Sequence, residues 1–164
     1  MLDKHTPRMI LRAARSDEAA TLTALCVRSK RHWGYDDAFM RRCAITLAVP
    51  GKAIARGDVQ VAVDENGRPL GTAQLSPPFD DAIELDKLFV DPPAIGHGVG
   101  AALLRWAMDE TRARGAKRLV ILADPHAATF YEKMGARFLH MAPSDAVPGR
   151  QLPFYEVDLR GPQS

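Results

Sequence analysis

The 164-residue sequence has few cysteines and almost no excess charge, which argues against several protein classes. Its two cysteines, Cys26 and Cys43, lie within apolar helical patterns, where a lone thiol usually behaves as a small buried side chain. Lysine and arginine exceed aspartate and glutamate by only 22 to 20, and the basic residues are scattered apart from a small group between residues 112 and 118. This pattern indicates neither a disulfide scaffold nor a nucleic-acid-binding surface.

Long hydrophobic runs are also missing. No segment approaches the roughly 20 apolar residues of a membrane-spanning helix, and residues 1–19 lack the apolar stretch of a signal peptide. We therefore expect a cytoplasmic protein with no membrane partner. The five histidines show no metal-ligand spacing, so we expect no metal. What remains is an ordinary globular composition, with 46% hydrophobic and 26% charged residues, and a length that suits one domain over residues 1–164.

Hydrophobic periodicity predicts a mixture of helices and strands. Apolar residues at spacings of three and four predict two helices between residues 16 and 49, after a short strand. A spacing of two then predicts a hairpin from Val59 to Leu75, followed by a third strand that ends at Val90. A long helix, a buried strand, a short helix after Asp124 and a last hairpin follow. The predicted order is β-α-α-β-β-β-α-β-α-β-β.

A glycine-rich loop opens the long helix with the sequence Ile95-Gly96-His97-Gly98-Val99-Gly100-Ala101. Small residues at a helix N-terminus let backbone N–H groups point at a negatively charged ligand, which suggests a phosphate site. On the loop alone, an equally good interpretation is that the glycines only allow a sharp turn and close helix packing.

The same loop fits the dinucleotide-binding fingerprint of Rossmann domains, because Gly96-x-Gly98-x-x-Ala101 follows a strand and Asp124 ends the next one. Three features count against this alternative. The segment Asp91–Ile95 separates the strand from the glycines, and only about forty residues remain after Asp124 for further βα units. Asp124 also precedes Pro125, which suits a helix N-cap.

Four segments together resemble the GNAT N-acetyltransferase superfamily in order and spacing. They are Leu88-Phe89-Val90-Asp91-Pro92, the glycine loop, Asp124-Pro125-His126-Ala127 and Phe130-Tyr131-Glu132-Lys133-Met134-Gly135. The resemblance implies an α/β (α+β) fold with a mixed, mostly antiparallel sheet of about six or seven strands, flanked by about four helices. It also implies acetyl-CoA as co-substrate and an amine of a small molecule or peptide as acceptor.

Cofactor-binding residues follow from the same resemblance. Main-chain amides of the glycine loop would wrap the pyrophosphate of coenzyme A, and the preceding strand would offer backbone groups to the pantetheine arm. Two positions depart from the family pattern: Ile95 replaces a common Arg or Gln, and Asp124 replaces a frequent Asn. The residues implied to bind the cofactor are Leu88, Phe89, Val90, Ile95, Gly96, His97, Gly98, Val99, Gly100, Ala101, Asp124, Ala127 and Phe130.

Catalytic residues are implied at three positions. An amine with a pKa near 10 must lose a proton before it attacks a thioester, and by resemblance Glu84 is the candidate base. Asp86 would share its strand face unless a bulge intervenes, so either carboxylate could act, through a water. Tyr131 matches the family tyrosine that protonates the leaving thiolate. A solvated strand acid and a buried helix aromatic stay open as alternatives.

Acceptor-binding candidates lie in two regions. Trp33 and Tyr35 stand near the junction of the first two helices, and Arg150 and Phe154 lie in and after the polar loop 143–153. Arg150 would suit an acceptor carboxylate, although packing of the aromatic residues and solvation of the arginine are the simpler explanations. The loop could also form a subunit contact, which leaves a homodimer open. A catalytically idle acyl-CoA-binding module is the second functional class.

Overall fold

The computed structural model describes residues 8–161, which form one seven-stranded sheet and five α-helices. The strands are β1 (Ile10–Ala13), β2 (Val59–Val63), β3 (Pro69–Leu75), β4 (Ala82–Val90), β5 (Arg118–Leu122), β6 (Arg137–Pro143) and β7 (Gln151–Asp158). The helices are α1 (Ala19–Arg31), α2 (Asp37–Leu47), α3 (Gly51–Ala55), α4 (Val99–Ala113) and α5 (Ala128–Lys133). Within residues 8–161, none of the helices has the length and apolarity needed to cross a membrane.

The predicted order of elements is confirmed apart from α3. This helix follows Pro50 and has five residues, too few to show a helical repeat of apolar positions, so periodicity does not predict it. Short 3-10 turns also precede α1 and α5, and another, Pro92–Ala94, lies between β4 and the glycine loop.

The strands are arranged in the order β1-β2-β3-β4-β5-β7-β6. All neighbouring pairs among these described strands are antiparallel except β4 and β5, which are parallel. A Rossmann domain requires a parallel sheet with repeated βα crossovers. The dinucleotide-binding alternative is therefore wrong, and the mixed, mostly antiparallel sheet is confirmed.

Helices cover both faces of the sheet. Alternating residues of β2 separate the two cores, because Val59 and Val61 belong to one cluster and Ala62 to the other. The cluster under α4 and α5 includes Leu75, Ile83, Leu103, Leu104, Ile121 and Tyr131. The cluster under α1 and α2 includes Leu22, Cys26, Met40, Cys43 and Leu47. Both cysteines are buried free thiols, as their apolar patterns predict.

A glycine on β3 brings the start of α4 close to the sheet. A Cβ atom at Gly71 would lie 2.8 Å from Val99 Cγ1 and 2.9 Å from the carbonyl oxygen of Phe89. Only a residue without a side chain fits this gap, so Gly71 sets the height at which the glycine loop and the first turn of α4 stand above β4.

Candidate functional site

The sheet opens between β4 and β5. The two strands pair only from Ala82 to Glu84 on β4, in register with Arg118 to Val120 on β5. Beyond this point β4 continues to Val90 with β3 as its partner, while the end of β5 pairs with β7. The diverging strands leave a V-shaped gap with Glu84 at its vertex, and the edge of β4 that faces the gap has unpaired backbone groups.

A cavity of about 570 Å³ occupies this gap and extends to both faces of the sheet. On the α4 side its lining includes Leu88, Phe89, Val90, Ile95, Gly96, Gly98, Val99, Gly100, Ala101, Asp124, Ala127, Phe130 and Tyr131. On the α1 side its lining includes Ser29, Lys30, Trp33, Cys43, Thr46, Glu84, Asp86, Ser144, Asp145, Ala146 and Arg150. The structure thus brings together twelve of the thirteen residues implied to bind the cofactor, since His97 alone is absent from this lining.

The glycine loop presents free amides to the cavity. Gly96 and Gly98 have φ angles of +90° and +82°, and Gly98 is the N-cap of α4. The first intrahelical hydrogen bond is donated by the amide of Ala102 to the carbonyl of Gly98 (3.1 Å), so the amides at positions 99 to 101 precede the ladder. Together with the positive end of the helix dipole, these amides form a site suited to a phosphate group.

His97 faces a different space. It lines a second cavity of about 140 Å³ together with Arg68 and Asp91, which adjoins the main one at Ala94 and Val99. Its implied contact with a cofactor has no support from this placement.

Glu84 and Asp86 are separated by a β-bulge. Gln74 pairs with Lys87 and Leu75 pairs with Leu85, so Asp86 is an additional residue on β4. A bulge that separates the two side chains, the exception to a shared strand face, is therefore present. Both carboxylates nevertheless line the cavity. Burial first, and then the charges of Asp86 and Asp145, raise the pKa of Glu84 to about 7.

Tyr131 stands on α5 with its side chain almost fully enclosed. It is 6% exposed and lines the cavity, and its hydroxyl forms no hydrogen bond with any residue that the structure describes. Burial, assisted by the charge of Asp124, raises the pKa of this hydroxyl, which therefore stays protonated at neutral pH. An unbonded, protonated hydroxyl in a cavity wall is available to a bound molecule.

The model of the acetyltransferase (GNAT) family matches residues 19–136, most of the chain. The chain belongs to this family. Its resemblance to the GNAT superfamily is thus confirmed, and with it the assignment to acyltransferases. No curated protein sequence matches the chain.

Several solved structures share the GNAT fold of this chain at low sequence identity. The PaiA N-acetyltransferase of Thermoplasma acidophilum, in complex with coenzyme A, is 15% identical with a TM-score of 0.75, and the match covers 92% of this chain and 99% of that one. A GCN5-related N-acetyltransferase of Rhodopseudomonas palustris is 24% identical with a TM-score of 0.72, covering 97% and 99%. N-acetylglutamate synthase of Neisseria gonorrhoeae, complexed with coenzyme A and N-acetyl-glutamate, is 21% identical with a TM-score of 0.68, covering 94% of this chain and 36% of that one.

In this GNAT chain, Asp124 is the centre of a polar cluster that sequence patterns do not predict. Its Oδ2 accepts hydrogen bonds from Lys30 Nζ (2.6 Å) and the Tyr35 hydroxyl (2.9 Å), and its Oδ1 accepts one from the amide of His126 (2.9 Å). Arg150 Nη2 donates to the Tyr35 hydroxyl (2.8 Å). We call these five residues the Asp124 network. It joins α1, the end of β5 and the loop 144–150.

Charge pairing explains the acidity of Asp124. Burial alone would raise the pKa of this carboxyl, but the bonds from Lys30 and from the backbone and ring of His126 hold it well below its usual range. Asp124 therefore remains a carboxylate at any physiological pH. The predicted N-cap is also confirmed, because the hydrogen bond from the amide of His126 caps the turn before α5.

The four acceptor-binding candidates occupy different positions. Trp33 is 43% exposed, lines the cavity and stacks on His126 with ring centroids 4.9 Å apart. Tyr35 and Arg150 belong to the Asp124 network, and the Arg150 guanidinium lies 5.2 Å from the centroid of the Tyr35 ring. Phe154 is absent from the cavity lining; it stacks on the ring of His140 at 5.2 Å.

Glu132, the residue after Tyr131, makes a contact with the sheet that its motif does not reveal. Its Oε2 accepts a hydrogen bond of 2.6 Å from the hydroxyl of Tyr155 on β7, which is 1% exposed. This bond ties α5 to the sheet beside Tyr131. Among residues 8–161, no group of three His, Cys, Asp or Glu side chains could hold a metal ion.

Proposed function

We propose that this GNAT protein transfers the acetyl group of acetyl-CoA to an amine, by direct attack in a ternary complex. The observation that carries the proposal is the cavity between β4 and β5, which has free helix-terminal amides at one end and a carboxylate of raised pKa at its vertex. The Thermoplasma and Neisseria structures with the same fold contain coenzyme A, which supports this choice of ligand.

The geometry gives coenzyme A two kinds of partner. The amides at positions 96 to 101 suit its pyrophosphate, because they combine free donors with the positive end of the α4 dipole. The unpaired edge of β4 from Leu88 to Val90 suits the amide groups of pantetheine, which can extend the sheet like a short strand. A cofactor bound along both would bring its thioester into the gap between Glu84 and Tyr131.

Glu84 serves as the base in this proposal. At pH 7 an amine is mostly protonated, and a carboxylate with a pKa of about 7 is a stronger proton acceptor than an ordinary glutamate. Glu84 takes the ammonium proton, directly or through a water. The free amine then attacks the thioester carbonyl carbon, so that a C–N bond forms as the C–S bond breaks.

Tyr131 serves as the acid at the other side of the reacting centre. Its hydroxyl gives a proton to the departing sulfur, and the second proton of the attacking nitrogen replaces the proton that the tyrosine loses. The products are an N-acetyl amide and the free thiol of coenzyme A. No covalent bond to the protein forms at any stage.

An acetyl-CoA consumption screen over amino acids, polyamines, aminoglycosides and peptides tests this function, with Tyr131→Phe as the informative variant. The phenylalanine keeps the ring packing against Phe130 and removes only the hydroxyl. We expect kcat to fall about 10²-fold or more, as for loss of a general acid, while coenzyme A binding measured by calorimetry stays within a few-fold. Unchanged turnover would refute the acid role. Tight coenzyme A binding without thiol release from any acceptor would instead indicate an idle acyl-CoA-binding module.

A further inference from the structure

The cations that line the α1 side of the cavity are already hydrogen-bonded to the protein. Lys30 and Arg150 are held in the Asp124 network. Lys87, 7% exposed, donates from Nζ to Gln74 Oε1 at 3.2 Å. No other lysine or arginine is found in the lining of this cavity among the described residues. Each of these cations is held by a protein acceptor, although Asp124 is the only carboxylate paired with any of them among the described residues.

Three lining carboxylates are in the opposite situation. Glu84, Asp86 and Asp145 have no ion pair and no side-chain hydrogen bond with the part of the chain that the structure describes. Their charges act on one another, since Asp86 and Asp145 both contribute to the raised pKa of Glu84. Glu84, Asp86 and Asp145 are thus the charged groups of this side that no protein donor holds, although the charge of Lys87 acts on Asp86.

Asp145 is held over the cavity by a structured turn. The hydroxyl of Ser144 accepts hydrogen bonds from the amides of Ala146 (3.1 Å) and Val147 (3.0 Å), and the amide of Ser144 donates to the carbonyl of Arg150 (2.8 Å). Ala146 and Val147 also pack against the core under α1 and α2. The position of the Asp145 carboxylate is therefore defined by its neighbours in the turn.

A second, independent feature indicates that the same cavity receives a ligand. Tyr131 is 6% exposed, and its hydroxyl, which forms no hydrogen bond with a described residue, opens into the cavity, where a ligand or water can bond to it. Ligand binding at this place would bring the reacting amine beside Glu84. Any further positive group of the acceptor would then lie near Asp86 and Asp145.

We propose that the acceptor is a di- or polyamine, whose reacting amino group lies at Glu84 while a second ammonium group is bound by Asp145 together with Asp86. This inference rests on the proposed acetyltransferase function and specifies its substrate class. It also replaces the expectation that Arg150 binds an acceptor carboxylate, because Arg150 is bonded to Tyr35 and a carboxylate would face three like charges.

Three five-carbon amines that differ only at the far end test the proposal: 1,5-diaminopentane, pentylamine and 5-aminopentanoate. Thiol release from acetyl-CoA at low ionic strength gives kcat/KM for each. We expect the diamine to exceed pentylamine about tenfold or more, and the aminocarboxylate to be the poorest acceptor. Equal values for diamine and pentylamine, or a preference for 5-aminopentanoate, would overturn the substrate class and leave the acetyltransferase function intact.

Asp145→Asn identifies the group responsible. The variant should raise KM for the diamine about tenfold and reduce its advantage over pentylamine toward one, with a smaller effect on kcat. Asp17→Asn is the matched control, because it removes the same charge from an exposed position outside the cavity and should leave that advantage in place. If the diamine keeps its advantage over pentylamine in Asp145→Asn, the inference is wrong. It is also wrong if none of the three amines leads to thiol release. In that event the wider amine screen decides separately whether the protein is an acetyltransferase.

Discussion

Replacing Glu84 with glutamine tests the most specific chemical feature of the site. Glutamine keeps the size and polarity of the side chain but cannot accept a proton at neutral pH. Glu84 lies where β4 and β5 diverge, and burial together with two neighbouring carboxylates places its pKa at about 7. If Glu84 is the base, its loss should remove both rate and a characteristic pH dependence.

The magnitude follows from the fraction of Glu84 that is ionised. With a pKa of about 7, roughly half of the side chains are ionised at pH 7 and about 3% at pH 5.5, since an acid is ionised above its pKa. Loss of a general base costs about 10²–10⁴ in rate. We therefore expect kcat/KM of Glu84→Gln to be at least about 100-fold below the wild-type value at pH 8, and this deficit to shrink about 30-fold by pH 5.5.

The assay is thiol release from acetyl-CoA between pH 5.5 and 8.5, expressed as the ratio of wild-type to variant kcat/KM. The ratio cancels the ionisation of the acceptor amine, which affects both proteins equally. Asp86→Asn is the companion variant, because removal of a repelling charge should lower the pKa of Glu84. The fall of kcat/KM at acidic pH should then move to lower pH. A ratio that does not vary with pH would refute Glu84 as the base. If the fall of kcat/KM at acidic pH disappears in Asp86→Asn, the base is Asp86.

Two further predictions concern binding and stability. Gly98→Ala and Gly115→Ala introduce a side chain at nearly equal φ angles of +82° and +84° with no neighbour within 4 Å, so each variant should be about 1 kcal/mol less stable. Only Gly98→Ala should weaken coenzyme A binding, by about tenfold in calorimetry. Equal affinities of the two variants would refute the glycine loop as the phosphate site. Asp124→Asn keeps an N-cap acceptor but loses the charge paired with Lys30, so the free energy of unfolding measured with denaturant should fall by about 1–3 kcal/mol. An unchanged unfolding midpoint would mean that the Asp124 network does not stabilise the fold.

The fold could be predicted as far as its determinants are local. Two helix boundaries have such local signals: Gly115 after α4, and the pair Asp124-Pro125 before α5. The structure has both boundaries at these residues, and Gly115 adopts a φ angle of +84°. The periodicity of α4 and the alternation in β2 are local in the same sense. Helix α3 is not predictable in this way because its five residues carry no repeat.

The bulge at Asp86 shows where local rules end. Alternation places Glu84 and Asp86 on one face, and nothing in β4 alone contradicts this expectation. The extra residue is visible only in the pairing with β3, where Gln74 opposes Lys87 and Leu75 opposes Leu85. A bulge is a property of two strands, so a single-strand pattern cannot show it.

The Asp124 network could not be predicted for a related reason. Its shortest hydrogen bond, 2.6 Å, joins Lys30 and Asp124, which are 94 positions apart in the chain. The available signal was the aspartate where the family often has asparagine, because an added charge in a buried place requires a partner. That signal indicates that a cation is near, but α1, α2 and the loop 143–153 all contain candidates.

The charge of the cavity illustrates the same limit for function. The whole chain has a net charge of +2, and the arginine of loop 143–153 suggests a site for an acidic acceptor. In the folded protein, the donors of Arg150 and Lys30 are bonded to Tyr35 and Asp124, while three carboxylates have no hydrogen-bond donor among the described residues. Folding thus decides which charged groups stay free to bind an acceptor, and the composition does not reveal them. The proposal of a positively charged acceptor rests on these free carboxylates.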